Sequence, residues 1–146
     1  MTKKSAFAGL AIASALVTVQ AAPAQATAAG SCYLSVTGTG YPGFHKVNLN
    51  CVPAATGDVM AVYKVYGEDT FSDDLLFVVD TRKSSYTFTT HENYINEDFP
   101  DWDEIYVTAW YRKPNGSLYR IRSNKVNGAW GNGNWNPPPQ YIYDKS

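Results

Sequence analysis

The chain has 146 residues, 45% hydrophobic and 14% aromatic, with 12 basic residues against 13 acidic ones and a formal net charge of −1. That length suits one core and not two. The excess of acid, which widens to 10 basic against 13 acidic residues once Lys3 and Lys4 are removed with the first segment, argues against a nucleic-acid binder, which carries a basic stripe, and past that segment no apolar run approaches the roughly 20 residues of a membrane-spanning helix.

Residues 1–26 read as an export signal peptide. Lys3 and Lys4 make a short positive start, an Ala-rich stretch without charge follows from Ala6 to Ala22, and Ala24-Gln25-Ala26 is an A-x-A cleavage pattern of bacterial style. The mature chain is expected to begin near Thr27 and to be secreted. Lys3 and Lys4 leave with the signal, so 10 basic residues then face 13 acidic ones. Cys32 is not placed directly after the cut, as a lipidated cysteine would be. In an exported chain the pair Cys32 and Cys51 is most simply a disulfide, closing a loop of about 20 residues for about 3 kcal/mol.

Taken in chain order, the mature sequence is dense in strand patterns and almost without helix patterns. Residues 31–37 (SCYLSVT) alternate. Residues 44–51 (FHKVNLNC) put His45, Val47, Leu49 and Cys51 on the core face. In 58–66 (DVMAVYKVY), Val59, Ala61, Tyr63 and Val65 share one side; neither side is strongly polar, so this strand is central in its sheet. Residues 75–80 (LLFVVD) are a short apolar run, and 85–90 (SYTFTT) alternate aromatics with threonine. Residues 104–112 (EIYVTAWYR) turn Ile105, Val107, Ala109 and Tyr111 inward, and 117–123 (SLYRIRS) alternate again around Tyr119 and Ile121. Between the last two, Lys113-Pro114-Asn115-Gly116 predicts a hairpin turn, with Pro114 fixing φ and Asn115 and Gly116 tolerating positive φ. Seven such segments predict an all-β fold: an antiparallel β-sandwich of about seven strands, immunoglobulin- or transthyretin-like. The domain runs over 27–127, and 128–146 is an extended Trp/Pro-rich tail. In that tail GAWGNGNWNPPP suits neither helix nor strand. It reads either as a strap over one edge of the sandwich or as an aromatic platform.

Alternating strand directions bring loops 38–43, 67–74 and 91–103 to one end. Glu68, Asp69, Asp73 and Asp74 fall there with Glu92, Glu97, Asp98, Asp101, Asp103 and Glu104, while Arg82, Lys83 and Lys113 fall at the other, which predicts a charge dipole. An acidic loop end is either a solvated face or a calcium site; Asp69, Asp73, Asp74, Asp101 and Asp103 are the candidate oxygen donors, without EF-hand spacing. Catalytic readings find little. His45 and His91 accompany no G-x-S-x-G nucleophile and no His/Cys cluster for zinc. A Glu92–Asp103 carboxylate pair would lack a deep cleft.

Residues 64–76 (KVYGEDTFSDDLL) with 77–88 (FVVDTRKSSYTF) resemble transthyretin-like secreted domains, in which a strand ends in an acidic loop and two strands follow a polar turn. The same words resemble the calcium loop of C2-like sandwiches. The resemblance covers about 25 residues. It implies a sandwich of seven or eight strands and extracellular binding rather than catalysis. The chain departs from it in the long acidic loop 91–103 and in the Trp/Pro tail.

The expected function is therefore that of a secreted, non-enzymatic domain that binds an extracellular protein or glycan through its acidic-aromatic loop end. Tyr41, Tyr94, Phe99 and Trp102 are the contacts, and calcium is the candidate cofactor. The rivals are a carbohydrate- or cell-wall-binding module stacking sugars on Trp130, Trp135 and Tyr141, and a secreted hydrolase inhibitor presenting Phe99-Pro100 or Tyr41-Pro42. Burial of Trp130 and Trp135 would remove the tail as a sugar platform.

Overall fold

The computed structural model describes residues 29–96, 102–131 and 137–146. The expected export segment, Phe99, Asp101 and Trp135 lie outside the described residues. Nine strands form two sheets among the described residues. The smaller sheet holds β1 (Ser31–Gly38), β2 (Phe44–Val52) and β5 (Ser85–His91) in the order β1-β2-β5, all antiparallel. The larger holds β3 (Val59–Gly67), β4 (Asp74–Asp80), β6 (Asp103–Arg112), β7 (Leu118–Arg122) and β9 (Gln140–Tyr143) in the order β7-β6-β3-β4-β9, with β8 (Val126–Gly128) also paired to β6.

The core lies between the sheets. Leu34, Val47, Leu49 and Cys51 from one side meet Tyr63, Val65, Phe77, Val79, Ile105, Val107, Ala109 and Tyr111 from the other, all essentially closed to solvent. Val47, Leu49 and Cys51 on β2 and Ile105, Val107, Ala109 and Tyr111 on β6 are buried as expected, His45 is only half-buried, Tyr106 and Thr108 on the other face of β6 are buried too, and β3 is central, between β6 and β4. Cys32 and Cys51 occupy directly opposed positions on β1 and β2 and form the disulfide. Two inward tyrosines keep their hydroxyls satisfied by crossing to backbone: Tyr111 donates to the Cys51 carbonyl at 2.7 Å and Tyr63 to the Ser84 carbonyl at 2.7 Å. Burial pushes both phenols above their ordinary pKa.

Three local features differ from the sequence expectation. On β3 the pairing with β6 shifts between Met60 and Val62. The extra residue at this bulge moves Met60 into the core beside Tyr63 and leaves Val59 exposed, so the simple alternation from Val59 fails. In the β6–β7 turn only Gly116 takes positive φ, at 87°. Asn115 instead accepts from the Ser117 amide through its side chain at 3.0 Å. The expected boundary after Asn127 falls inside β8, and β7 and β8 are two halves of one edge along β6.

The break between those halves closes this side of the sandwich. The Asn124 side chain accepts from the Leu34 amide at 2.9 Å and donates to the Leu34 carbonyl at 3.0 Å, pairing with β1 as a neighbouring strand would. Ser123 completes the kink: its hydroxyl accepts from the Val107 amide at 3.0 Å and its amide donates to the Val107 carbonyl at 2.9 Å.

Candidate binding surfaces

Two backbone bonds tie described segments of the acidic side together. The Glu92 amide donates to the Gly43 carbonyl at 2.8 Å and the Glu68 amide to the Glu104 carbonyl at 2.7 Å. The acids there are largely engaged within the protein. Glu68 pairs with Lys125 at 2.8 Å and Arg122 at 3.0 Å, and the Lys125 hydrogen bond leads in holding its carboxyl below the usual range. Asp73 accepts from the Tyr106 hydroxyl at 2.5 Å. Burial, followed by that carboxylate, pushes the Tyr106 phenol up to about 12. Asp103 is buried and accepts from the Trp130 amide at 3.4 Å. Asp69 and Asp74 are half-buried. Among the described residues no three or more His, Cys, Asp or Glu side chains form a group that could hold a metal ion. Of the expected calcium set, Asp73 accepts from Tyr106 and Asp103 from the Trp130 amide, and Asp101 lies outside the described residues. The expected dipole is likewise offset: Arg122 and Lys125 reach the acidic end, and Lys83 pairs with Asp144 at 3.0 Å at the other.

The aromatics of that end divide. Tyr41 is 76% exposed and Trp102 66%, joined by Phe71 at 99%, which the sequence reading passed over. Tyr94 is half-buried against the core. His45 lies half-buried with Nε2 3.8 Å from Glu92, and His91 accepts from the Asn93 amide through Nδ1 and meets Phe44 edge-on.

Trp130 packs as the strap reading of the tail expects and not as a sugar platform would. It is only 8% exposed and belongs to the core. Its seat depends on Gly128, where a Cβ would stand 2.3 Å from the indole. The tail contributes a different pair of rings. β9 runs parallel to β4, with Val78 opposite Tyr141 and Asp80 opposite Tyr143, and both tyrosines are exposed. A C-terminal latch holds the strand. Asp144 donates its amide to the Asp80 carbonyl at 3.0 Å and takes bonds from the Ser146 hydroxyl at 2.6 Å, Thr81 at 2.8 Å and Lys83 at 3.0 Å. These contacts, the Ser146 hydroxyl first, hold its carboxyl well below the usual range.

The outer face of the large sheet carries a pattern of its own. Strand register sets Arg122, Thr108, Lys64, Val78 and Tyr141 in one row across five strands, and Arg120, Trp110 and Val62 in the next. Lys64 Nζ lies 5.7 Å from the Trp110 ring centre and the Arg120 guanidinium 5.8 Å from it. Arg122 stacks 3.6 Å over Tyr106, which in turn stacks on Tyr66. A groove of about 560 Å³ runs along the face, lined by Trp110, Tyr141 and Tyr143 together with Lys64, Arg82, Arg112 and Asp80. Thr108 Oγ1 and Trp110 Nε1 are buried here without a hydrogen-bond partner among the described residues.

The sequence signal for this face was the outward half of the same alternation that gave the core: Thr108 and Trp110 between inward Val107, Ala109 and Tyr111, and Arg120 and Arg122 beside Tyr119 and Ile121. Comparison with family models, with curated proteins and with solved structures finds no match, so the chemistry of these surfaces is read from their residues.

Proposed function

We propose that the chain is an exported, non-enzymatic binding domain, that its recognition surface is the outer face of the large sheet, and that its ligand is a glycan. One observation carries this reading: Trp110, Tyr141 and Tyr143, from β6 and β9, line a single groove beside hydrogen-bonding side chains. The C–H faces of sugar rings pack on such rings, which bury much area with few torsions to freeze. Rings mounted on paired strands are already oriented, so binding does not have to order a loop. The Cys32–Cys51 disulfide fits an oxidising compartment, and among the described residues no helix is long and apolar enough to cross a membrane.

Exposure of Tyr41, Phe71 and Trp102 favours a second reading, a protein partner at the loop end. Retention on a panel of insoluble polysaccharides separates the two. The sheet-face reading expects Trp110→Ala and Tyr141→Ala each to lower retention about tenfold, the size of a moderate hot spot, with Tyr41→Ala and Trp102→Ala unchanged. Sensitivity in the reverse order would move recognition to the loops, and absence of retention on every polysaccharide would overturn the glycan reading.

A further inference from the structure

Resting on that reading, we infer that the glycan is anionic, and that its acidic groups are met by Lys64, Arg112 and Arg120 around the Trp110 ring. The chain as a whole carries a net charge of −1, yet this face reverses the sign. The groove walls include Lys64, Arg82 and Arg112 against one carboxylate, Asp80, and Arg120 flanks them across Trp110. Three other cations have acid partners: Lys125 and Arg122 pair with Glu68, and Lys83 with Asp144. Lys64 and Arg120 lie instead on the two sides of an indole, a placement that keeps their charge at the surface beside a stacking ring. Arginine forks match the planar geometry of carboxylate and sulfate groups, and a groove with low-dielectric walls concentrates their field.

Two buried polar atoms point the same way. Thr108 Oγ1 and Trp110 Nε1 are unpartnered among the described residues, although buried polar groups in native proteins nearly always find a partner. Thr108 is flanked in register by Arg122 and Lys64, and Trp110 by Arg120. A bound anion that draws the cationic side chains outward uncovers a hydroxyl and an indole N–H for the sugar's own hydroxyls. Stacking rings among cations also suit single-stranded nucleic acid. The net negative chain and the disulfide-bonded, exported character favour the glycan.

The test is titration calorimetry of the disulfide-intact chain with polygalacturonate, with its fully methyl-esterified counterpart, with chondroitin sulfate and with single-stranded DNA. The ester keeps the rings and removes the charge, and the two acidic polymers separate carboxylate from sulfate. An acidic polymer is expected to bind at least about tenfold more tightly than the ester. Lys64→Gln and Arg120→Gln should each weaken it about tenfold, with weakening by added salt. Trp110→Ala should weaken both the acidic polymer and the ester. These side chains are outside the core, and unchanged circular dichroism checks that each variant folds. Equal binding of acid and ester, both still dependent on Trp110, would end the anionic inference and leave the glycan reading standing. Failure of both acidic polymers to bind would overturn the anionic inference. Tighter, Trp110-dependent binding of the DNA would overturn it together with the glycan reading.

Discussion

Asn124 offers the sharpest test of how the sandwich is closed. The perturbation is Asn124→Ala. The amide group it removes accepts from the Leu34 N–H and donates to the Leu34 carbonyl, at 2.9 and 3.0 Å, and Leu34 is wholly buried. Each bond contributes about 1 kcal/mol net, and each backbone group left without a partner costs about 1–3 kcal/mol. The variant should therefore lose about 2–4 kcal/mol. With a urea m-value of about 2 kcal/mol/M the unfolding midpoint falls by about 1–2 M. Amide exchange at Leu34 should accelerate well before exchange at Val107, whose partner is Ser123. Asn124→Asp retains an acceptor for the Leu34 N–H but sets an oxygen against the Leu34 carbonyl, so it should not rescue. A loss below about 0.5 kcal/mol, with Leu34 exchange unchanged, would refute the idea that this side chain bridges the two sheets.

Three further outcomes are expected. Cys32→Ala combined with Cys51→Ala should cost about 3 kcal/mol in urea unfolding, from the loop-closure entropy of the 19-residue separation. The Asp144 latch should release in acid: its carboxyl is held below the usual range, so its stabilising effect is present above an ordinary aspartate pKa of about 3.9 and is lost as pH falls through the lower folded value. NMR of Tyr141 and Tyr143 should report loss of β9 pairing in that acid range, and Asp144→Asn should loosen β9 already at neutral pH. Calcium against chelator should move the melting midpoint by less than about one degree, since a ligand stabilises only what it binds and Asp73 and Asp103 are engaged elsewhere; a calcium-dependent rise of several degrees would restore the loop end as a metal site.

The parts of the fold legible in the sequence are those where one face of a strand is buried and the other wet. On β2 and β6 the period of two names Val47, Leu49, Cys51, Ile105, Val107, Ala109 and Tyr111, which meet the core, though His45 on the same β2 face stays half-buried. The period fails on β3 because one inserted residue near Ala61 shifts the face, and no local composition marks a bulge. β9 was illegible for another reason: four residues after a proline run make a strand only by pairing with β4, some 60 residues earlier. The loop end was legible by topology but not by partner. Parity brings Glu68 and Asp73 there, but it does not reveal that Arg122, Lys125 and Tyr106 occupy them. Composition left Trp130 open between a packed strap and an exposed platform, because it is Gly128 that leaves room for its ring in the core. The sheet face was written in the outward residues of β3, β6 and β7, and became visible once register aligned Lys64, Thr108 and Arg122 in one row.

The most direct test of the central claim is an NMR titration of the labelled chain with short oligogalacturonates. The account predicts that shifts concentrate on the Trp110 indole N–H and on Lys64, Thr108, Arg120 and Tyr141, with Tyr41, Phe71 and Trp102 unmoved. Shifts confined to Tyr41, Phe71 and Trp102 would contradict it and assign recognition to the loop end.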